Sequence, residues 1–363
     1  MKKAFSLLLA ALLIVGLAAC ASPTGDTPAA GGDAVKIGVS MPTQSLQRWN
    51  QDGANMKEQL EAAGYEVDLQ YAGDNDIPTQ INQIENMISN GCSVLVIAAI
   101  DDSSLTQVLE GAKENDVKVI AYDRLIKNTD AVSYYATFDN WLVGTTQGNF
   151  LKDRLDLENA EGPFNIELFT GDPGDNNINY FFGGAMEVLT PYIEEGKLVV
   201  LSGEIEQAVV ATPQWNTEES QKRMENLIAA YGYGPDGTQL DAVLSSNDSV
   251  ANGITNALVA AGYTAENFPL ITGQDCDITS TKNMIAGIQA MSVFKDTRIL
   301  AATTLEMIEA IVNGTEVPIN NTTDYDNGIF VVPTFLCEPV FADINNYEEL
   351  LIESGYYTLD QLQ

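Results

Sequence analysis

Eight apolar, strand-like runs of the sequence are each followed at once by charged or amide side chains. KVIAY, for example, ends at Asp123 and Arg124, a carboxylate and a guanidinium side by side. In open parallel sheets, ligands bind beyond the carboxyl ends of the strands, where such side chains meet. Single aspartates such as Asp102, Asp248 and Asp296 could instead cap the next helix. Because the pattern recurs in both halves of the chain, it predicts two polar rims that face each other across a cleft.

The charges on these rims favour a neutral ligand that carries many hydroxyl groups. Acidic and basic side chains nearly balance, and a near-neutral rim disfavours a phosphorylated ligand. A sugar hydroxyl both donates and accepts hydrogen bonds, so carboxylate, guanidinium and ammonium groups together can pair with it. A wrong epimer would leave one of these buried polar groups unpaired. The side chains in question are Asp123, Asp175, Asp248, Asp275, Arg48, Arg124 and Lys295.

Aromatic side chains near the same strand ends would suit the apolar faces of a sugar ring. Trp49 stands in QRW, and Trp215 lies in the loop QAVVATPQWNTEE. Tyr180, Phe181 and Phe182 follow GDPGDNN. Packing in a hydrophobic core is the alternative for each of them.

The composition and the motifs argue against several other kinds of site. The chain has no histidine, which removes Ser-His-Asp and Cys-His catalysis and His-ligated zinc. There is no Gly-rich phosphate-binding motif after a strand, and DYDNG at residues 324–328 does not fit an EF-hand. A metal site built from aspartates alone stays open but has no sequence signature, and we expect no metal and no cofactor. Paired carboxylates could hydrolyse glycosides, but these acids are spread over many strand ends among basic partners, so we expect no enzyme.

The first residues predict a secretory signal. Lys2 and Lys3 precede the run FSLLLAALLIVGLAA, which is too short to span a bilayer. The run ends in LAAC, which resembles a bacterial lipobox, so we expect removal of residues 1–19 and acylation of Cys20. An ordinary secretory peptide with a chance cysteine is the alternative. Residues 20–34 would then form a flexible, lipid-anchored tether.

Charge and the remaining cysteines add two expectations. The net charge of −34 becomes −36 once the two lysines of the signal are removed, and such a surface would repel nucleic acid. Cys92 and Cys337 have apolar surroundings, so buried free thiols are expected. One disulfide that involves these two or Cys276 stays open.

From residue 35 onward, strand-like and helix-like stretches alternate. Helical patterns such as IPTQINQIENMISNG space their apolar residues for one face and end in glycine. About ten strands in two sets of five predict an α/β protein with two doubly wound parallel-sheet lobes. A closed (β/α)₈ barrel is the rival, but it would not explain the break near residues 139–162 or the extended C-terminal tail. The strands are VKIGVSM, YEVDLQYA, CSVLVIAAI, VKVIAY, VSYYATF, FNIELFT, KLVVLSG, LDAVLSS, FPLITG and AMSVF.

Several segments, in order, resemble the periplasmic-binding-protein type I sugar receptors of bacterial ABC importers, and within them the xylose-binding and multiple-monosaccharide-binding branch. They include VKVIAYDRLI, GPFNIELFTGDPGDNN, TGQD and VFKDTR. The resemblance implies two lobes joined by three hinge crossings, with the ligand in the cleft between the lobes. Residues 35–138 and 296–325 would form the N-terminal lobe. Residues 139–295 and 326–363 would form the C-terminal lobe.

The resemblance also implies a set of ligand-binding residues. Trp215 would stack on the sugar ring, although its loop differs in length from those of the family. The calcium loop of the glucose/galactose branch has no counterpart. The N-terminal lobe would offer Arg48 and Trp49 from QRW and Asp123 and Arg124 from YDR. The C-terminal lobe would offer Asp175 and Asn177 from GDPGDNN, Trp215, Asn247 from SSND, Asp275 from GQD and Lys295 from VFK.

The function implied by the resemblance is capture of a monosaccharide. The protein would be a lipid-anchored monomer on the outer face of the cytoplasmic membrane, and the anchor suggests a Gram-positive envelope. It would bind an aldose such as xylose, glucose, galactose or arabinose, close its hinges, and deliver the sugar to an ABC permease and its ATPase. A sugar-sensing receptor for a membrane chemoreceptor or kinase is the alternative. The sequence does not specify the sugar, its anomer or the affinity.

Overall fold

The computed structural model describes residues 34–73 and 75–363. The predicted signal peptide, Cys20 and all of the predicted tether except its last residue lie outside the described residues. Within the described part of the chain, no helix is both long and apolar enough to cross a membrane.

The first part of the chain builds parallel strands that alternate with helices. The strands are β1 (Lys36–Met41), β2 (Glu66–Tyr71), β3 (Val94–Ile97), β4 (Lys118–Tyr122) and β5 (Val132–Phe138). The helices between them are α1 (Gln47–Ala62), α2 (Ile77–Ser89) and α3 (Thr106–Glu114). All four residues of β3 are buried, as expected for a strand with helices on both faces of its sheet.

The second part repeats the pattern around a four-stranded parallel sheet. Its order is β7-β6-β8-β9. The strands are β6 (Phe164–Phe169), β7 (Leu198–Val199), β8 (Ala242–Ser245) and β9 (Leu270–Ile271), and β10 (Ser292–Phe294) follows them. The helices are α4 (Asn140–Arg154), α5 (Asn177–Glu194), α6 (Thr217–Tyr231), α7 (Asp248–Ala260) and α8 (Ile278–Ile285). Helix α9 (Thr297–Asn313) comes after β10 and packs with the first part of the chain.

Two late strands return to different sheets. Strand β11 (Thr334–Cys337) pairs with β5, which completes a six-stranded sheet in the order β11-β5-β4-β3-β1-β2. Strand β12 (Val340–Ala342) pairs with β10. Because α4 packs on α5 and α9 packs on α1, the chain passes between the two halves three times, after β5, after β10 and after β11. The predicted two open lobes with three crossings are confirmed, and the closed barrel is not formed.

The predicted lobe boundaries differ from the strand pairing in one place. The predicted C-terminal lobe includes residues 326–363, whereas Thr334–Cys337 extends the first sheet. A four-residue strand with no adjoining helix carries no signal of the sheet whose edge it will cover. The exact bounds of the lobes stay a prediction, with the third crossing now placed between β11 and β12.

Glycines allow α4 and α5 to approach closely, and this contact fixes the start of α5. A Cβ atom on Gly144 would lie 2.2 Å from the carbonyl oxygen of Phe181, and one on Gly184 would lie 2.5 Å from that of Trp141. Distances this short exclude any larger residue unless a helix moves. The N-terminal end of α5 is thereby held near the ends of β4 and β5.

Three aspartates were weighed as helix caps, and the structure separates them. Asp296 accepts a hydrogen bond from the backbone N–H of Arg298 and caps α9, which is the alternative given for it. At α7, however, Asn247 is the cap rather than Asp248. Asp102 caps no helix, because α3 begins only at Thr106.

The cysteines in the described residues are free. Cys92, Cys276 and Cys337 are all buried and unpaired, which confirms the expected thiols. Burial raises the pKa of the Cys92 thiol to about 11 and also raises the pKa values of the other two. Such thiols stay protonated at neutral pH and react slowly.

Candidate ligand-binding site

All ten side chains predicted to bind a ligand line one cavity at the carboxyl ends of the strands. It encloses about 370 Å³ of empty space, counted together with the open solvent at its mouth. The predicted members are Arg48, Trp49, Asp123, Arg124, Asp175, Asn177, Trp215, Asn247, Asp275 and Lys295. Four more side chains complete the lining: Leu46, Phe181, Ser249 and Gln274. The structure therefore brings the predicted set together, and ligand binding by it stays a prediction.

Left-handed backbone conformations present two of the carboxylates. Asp123 follows β4 with a φ of 58°, and Asp275 follows β9 with a φ of 94°. Aspartate is among the few residues other than glycine that adopt positive φ with some frequency. Neighbours on a regular strand face opposite ways, but the turn at Asp123 lets both Asp123 and Arg124 reach the cavity.

Arg48, in the first turn of α1, links the two strand ends. Its Nη2 donates to Asp123 Oδ2 at 2.7 Å, and its Nη1 donates to Asp275 Oδ1 at 2.9 Å. Its Nε donates to Asp52 Oδ2 at 2.7 Å. The Lys295 ammonium lies 3.4 Å from Asp123 Oδ2 and 3.6 Å from Asp275 Oδ1. Two cations thus hold two carboxylates that come from the two different sheets.

Burial and charge set the protonation of the acids at the site. Burial alone would raise the pKa of Asp123, but the positive charges of Arg48 and Lys295 outweigh it and hold this pKa below its ordinary value. Burial raises the pKa of Asp175, against the opposing effect of Arg124. Asp123 is therefore a carboxylate at neutral pH and can only accept hydrogen bonds.

A second ion pair, Arg124 with Asp175, lines the same cavity. Arg124 Nε is 2.9 Å from Asp175 Oδ2, an ion pair whose N–H is not aligned as a hydrogen bond. Arg124 Nη1 donates to the carbonyl oxygen of Ala99 at 3.0 Å. Asp175 Oδ2 also accepts from Trp215 Nε1 at 3.2 Å, and Asp175 Oδ1 accepts from the N–H of Asn177 at 3.0 Å.

Aromatic rings form part of the cavity wall. Trp49 and Trp215 are 3% and 4% exposed, and the Arg124 guanidinium lies 5.0 Å from the ring centre of Trp49. The Trp215 ring lies against Gly171, where a Cβ atom would come within 2.1 Å of it. Phe181 meets Trp215 edge-on at 6.1 Å.

The other two aromatic candidates lie elsewhere. Phe182 packs in the core of the second sheet. Tyr180 packs on Tyr325, with ring centres 5.0 Å apart. Neither lines the cavity, because the turns of α5 direct successive side chains to different faces.

The two asparagines differ in what they leave for a ligand. Asn177 Nδ2 donates to the carbonyl oxygen of Asp123 at 2.8 Å, and its Oδ1 accepts from Tyr135 and Asn140. It therefore supports the turn at Asp123 as well as lining the cavity. Asn247 Oδ1 is occupied as the cap of α7, so its amide nitrogen is the group open to a ligand.

Sequence reasoning missed some members and misplaced one. Gln274 lies next to Asp275 in TGQD, and the Oε1 atom of Gln274 is buried without a hydrogen-bond partner. The sequence prediction included Asp275 but not Gln274. Asp248, counted among the rim acids, does not line the cavity. Its carboxylate instead accepts from Gln289, Ser292 and the backbone N–H of Asp277.

The chain is similar to known proteins over most of its length. A family model described as a periplasmic binding protein domain matches residues 37–316. The chain is 49% identical over 338 residues to the multiple sugar-binding periplasmic receptor ChvE of Rhizobium radiobacter, covering 93% of this chain and 94% of the relative. It is 36% identical over 346 residues to the D-xylose-binding periplasmic protein of Escherichia coli K12, covering 95% and 98%.

A solved structure is closer in sequence. An ABC transporter solute binding protein from Clostridium phytofermentans, solved with bound β-D-glucose, shares 61% of its sequence with this chain. The TM-score is 0.87, and the match covers 90% of this chain and 100% of the other.

Proposed function

The chain belongs to the periplasmic binding protein family, in its type I sugar-receptor branch, and we propose that it captures a monosaccharide in the cavity described above. The observation that carries the proposal is the convergence of Asp123 and Asp275, from two sheets, on Arg48 and Lys295 inside a buried and nearly neutral cavity. Such groups match the donors and acceptors of sugar hydroxyls. An aldose is favoured because relatives are named for multiple sugars and D-xylose, and a 61% identical protein holds β-D-glucose.

We propose that binding closes two lobes rather than drives a reaction. The chain crosses between its halves three times, and short crossings of this kind act as hinges when lobes close on a ligand. Sugar would enter between parted lobes and bind both rims. The free energy of binding would then stabilise the closed form, and the ten predicted residues would be its ligand contacts.

We propose further that the closed form delivers its sugar to an ABC permease and its ATPase. The support is the family and the description of the 61% identical protein as part of an ABC transporter. The LAAC sequence supports a lipid anchor on Cys20 at the outer face of the cytoplasmic membrane. The protein would act there as a monomer.

Calorimetric titration of the protein that begins at residue 34 tests the binding proposal. Xylose, glucose, galactose and arabinose are each titrated, and at least one should bind with a stoichiometry of one. Absence of heat and of any change in tryptophan fluorescence with all four sugars would overturn it.

The anchor is tested separately. Mass spectrometry of the membrane-associated protein should find a lipid-modified N-terminal cysteine, and Cys20→Ser should release the protein from the membrane. A mature protein that carries no lipid would contradict the anchor without affecting the binding proposal.

The name of one relative favours a second candidate function. The 49% identical relative is called a receptor, so a sugar sensor for a membrane chemoreceptor or kinase is the alternative. Deletion of the gene should abolish uptake of radiolabelled sugar if the protein serves transport. Intact uptake together with loss of a sugar-dependent response would favour sensing.

A further inference from the structure

We propose that Asp52 is a positioning residue that orients the Arg48 guanidinium toward the ligand, with help from Tyr122. The inference rests on the proposed sugar-binding function. Asp52 does not line the cavity, so it would act on the ligand only through Arg48.

Asp52 binds Arg48 from outside the cavity. The two residues are one helical turn apart on α1, and Arg48 Nε donates to Asp52 Oδ2 at 2.7 Å. The other carboxylate oxygen, Oδ1, accepts from the hydroxyl of Tyr122 at 2.5 Å. Asp52 and Tyr122 are both fully buried. Both oxygens of Asp52 are thus engaged, and its carboxylate plane is set from two directions.

Fixing Nε decides where the rest of the guanidinium points. An arginine presents five N–H donors in one rigid plane, and Arg48 spends one on each of three carboxylates. With Nε turned toward Asp52, both terminal nitrogens face the cavity. Each of them keeps one further N–H, so two donors stay available at known positions for sugar hydroxyls.

Asp52 also joins helix α1 to strand β4, which Asp123 follows. Tyr122 is the last residue of β4 and immediately precedes Asp123. Its bond to Asp52 therefore joins α1 to the strand end that Arg48 also binds. Next to Asp52, a Cβ atom on Gly53 would lie 2.1 Å from the hydroxyl of Tyr71. Helix α1 thus packs too closely on its neighbours to slide and let Arg48 adjust.

Asp52 occupies this position at a cost. Burial raises its pKa to about 6, and the charge of Arg48 offsets that effect only in part. Groups whose pKa values are shifted by burial and by a specific charged partner concentrate at functional sites. The cost fits a residue whose role is to place a binding group.

Affinity measurements in two backgrounds test the role. Glucose, or whichever of the four aldoses binds best, is titrated into Asp52→Ala and Asp52→Asn by calorimetry, with and without Arg48→Lys. Asp52→Ala should weaken binding at least about tenfold, the scale of one charge-assisted hydrogen bond. Asp52→Asn should recover part of this loss, because its amide oxygen can still accept from Arg48 Nε. Lysine has no Nε–H, so Asp52→Ala should change affinity by less than about twofold in the Arg48→Lys background.

Controls separate this inference from folding and from the proposed function. Glu61→Gln, an exposed change on the same helix, should leave affinity unchanged, and urea unfolding reports whether each variant is folded. If Asp52→Ala does not fold, Tyr122→Phe replaces it, since this change removes only the hydroxyl that holds Asp52. A modest loss of affinity in Tyr122→Phe that disappears in the Arg48→Lys background supports the role.

Two results would overturn the positioning role of Asp52, and a third would overturn the proposed sugar binding. Wild-type affinity in Asp52→Ala would overturn the positioning role, as would an equal loss in both backgrounds, which is the mark of a purely structural residue. If the wild-type protein binds no sugar at all, the proposed function fails instead.

Discussion

Asp123→Asn removes one negative charge from the candidate site and leaves its shape almost unchanged. Asp123 has a φ of 58°, which asparagine tolerates and which costs most other residues roughly 1–2 kcal/mol. Alanine at this position would combine backbone strain with the lost carboxylate. Asparagine therefore tests the lost charge without added backbone strain. Asp123→Ala should abolish binding, whereas Asp123→Asn should weaken it.

The structure sets the size of the expected effect. Asp123 Oδ2 accepts from Arg48 Nη2 at 2.7 Å and lies 3.4 Å from Lys295. Asp275 Oδ1 is the other carboxylate oxygen that both cations approach among the described residues. Hydrogen bonds to charged groups contribute about 1.5–3 kcal/mol. Loss of that amount from the bonds to a sugar corresponds to a roughly 10- to 150-fold weaker Kd.

The fold should survive the change. Arg48 and Lys295 each keep Asp275 as a partner, so neither buried cation is left alone. We expect the free energy of unfolding to fall by about 1.5–3 kcal/mol, less than the ~5–15 kcal/mol typical of native proteins.

The assay pairs calorimetric titration with urea unfolding. Asp116→Asn is the matched control. Asp116 has a φ of 56° and lies just before the same strand, but it is exposed and forms a surface ion pair with Lys118. It should change neither affinity nor stability by more than about 0.5 kcal/mol. The reasoning is refuted if Asp123→Asn binds sugar as tightly as a wild-type protein that itself binds.

Three further predictions concern other parts of the site. Trp215→Phe should lose much of the fluorescence response to sugar. Trp141 is 42% exposed, so Trp141→Phe should keep that response. Equal responses in the two variants would contradict the assignment of Trp215. Burial raises the pKa of Asp277 to about 7, so the folded form holds this proton more tightly than the unfolded chain. Stability from this group is therefore lost as pH rises from about 4 to about 7, and urea unfolding at pH 5–8 should show a smaller decline in Asp277→Asn. The Tyr357 hydroxyl accepts hydrogen bonds from Gln47 and Gln51 of α1 and donates one to the carbonyl oxygen of Cys276, the residue after Asp275. Tyr357→Phe should thus speed sugar release in stopped-flow fluorescence. Tyr347→Phe should not, because the Tyr347 hydroxyl forms an exposed hydrogen bond with Glu348.

Much of the fold and the rims could be predicted because both follow from local patterns. Buried parallel strands require short apolar runs such as the VLVI of β3. Once the strands are parallel, their carboxyl ends must share one edge of the sheet, and whatever follows them meets there. Asp123, Asp175 and Asp275 are named on this ground, but so is Asp248, which does not line the cavity.

The remainder depends on contacts between distant segments. Nothing local in TFLC at residues 334–337 indicates that it joins β5. Two neighbouring residues in SSND can cap α7, and which of them does so depends on where the helix begins. The φ of 58° that turns both Asp123 and Arg124 into the cavity is supported by Asn177, a residue 54 positions away.

Asp52 shows why burial is the decisive missing information. Helix α1 carries two pairs of opposite charges four residues apart, Arg48 with Asp52 and Lys57 with Glu61. In the sequence the two pairs are equivalent, and both would be read as ordinary supports of an exposed helix face. In the fold, the side chains of the first pair are 7% and 0% exposed, and those of the second are 44% and 49% exposed. An exposed pair of this kind contributes little, whereas a buried carboxylate that also binds Tyr122 constrains the arginine at the centre of the cavity. The same four-residue spacing therefore has two different consequences, because the fold buries the first pair beside Tyr122 of β4 and leaves the second pair exposed.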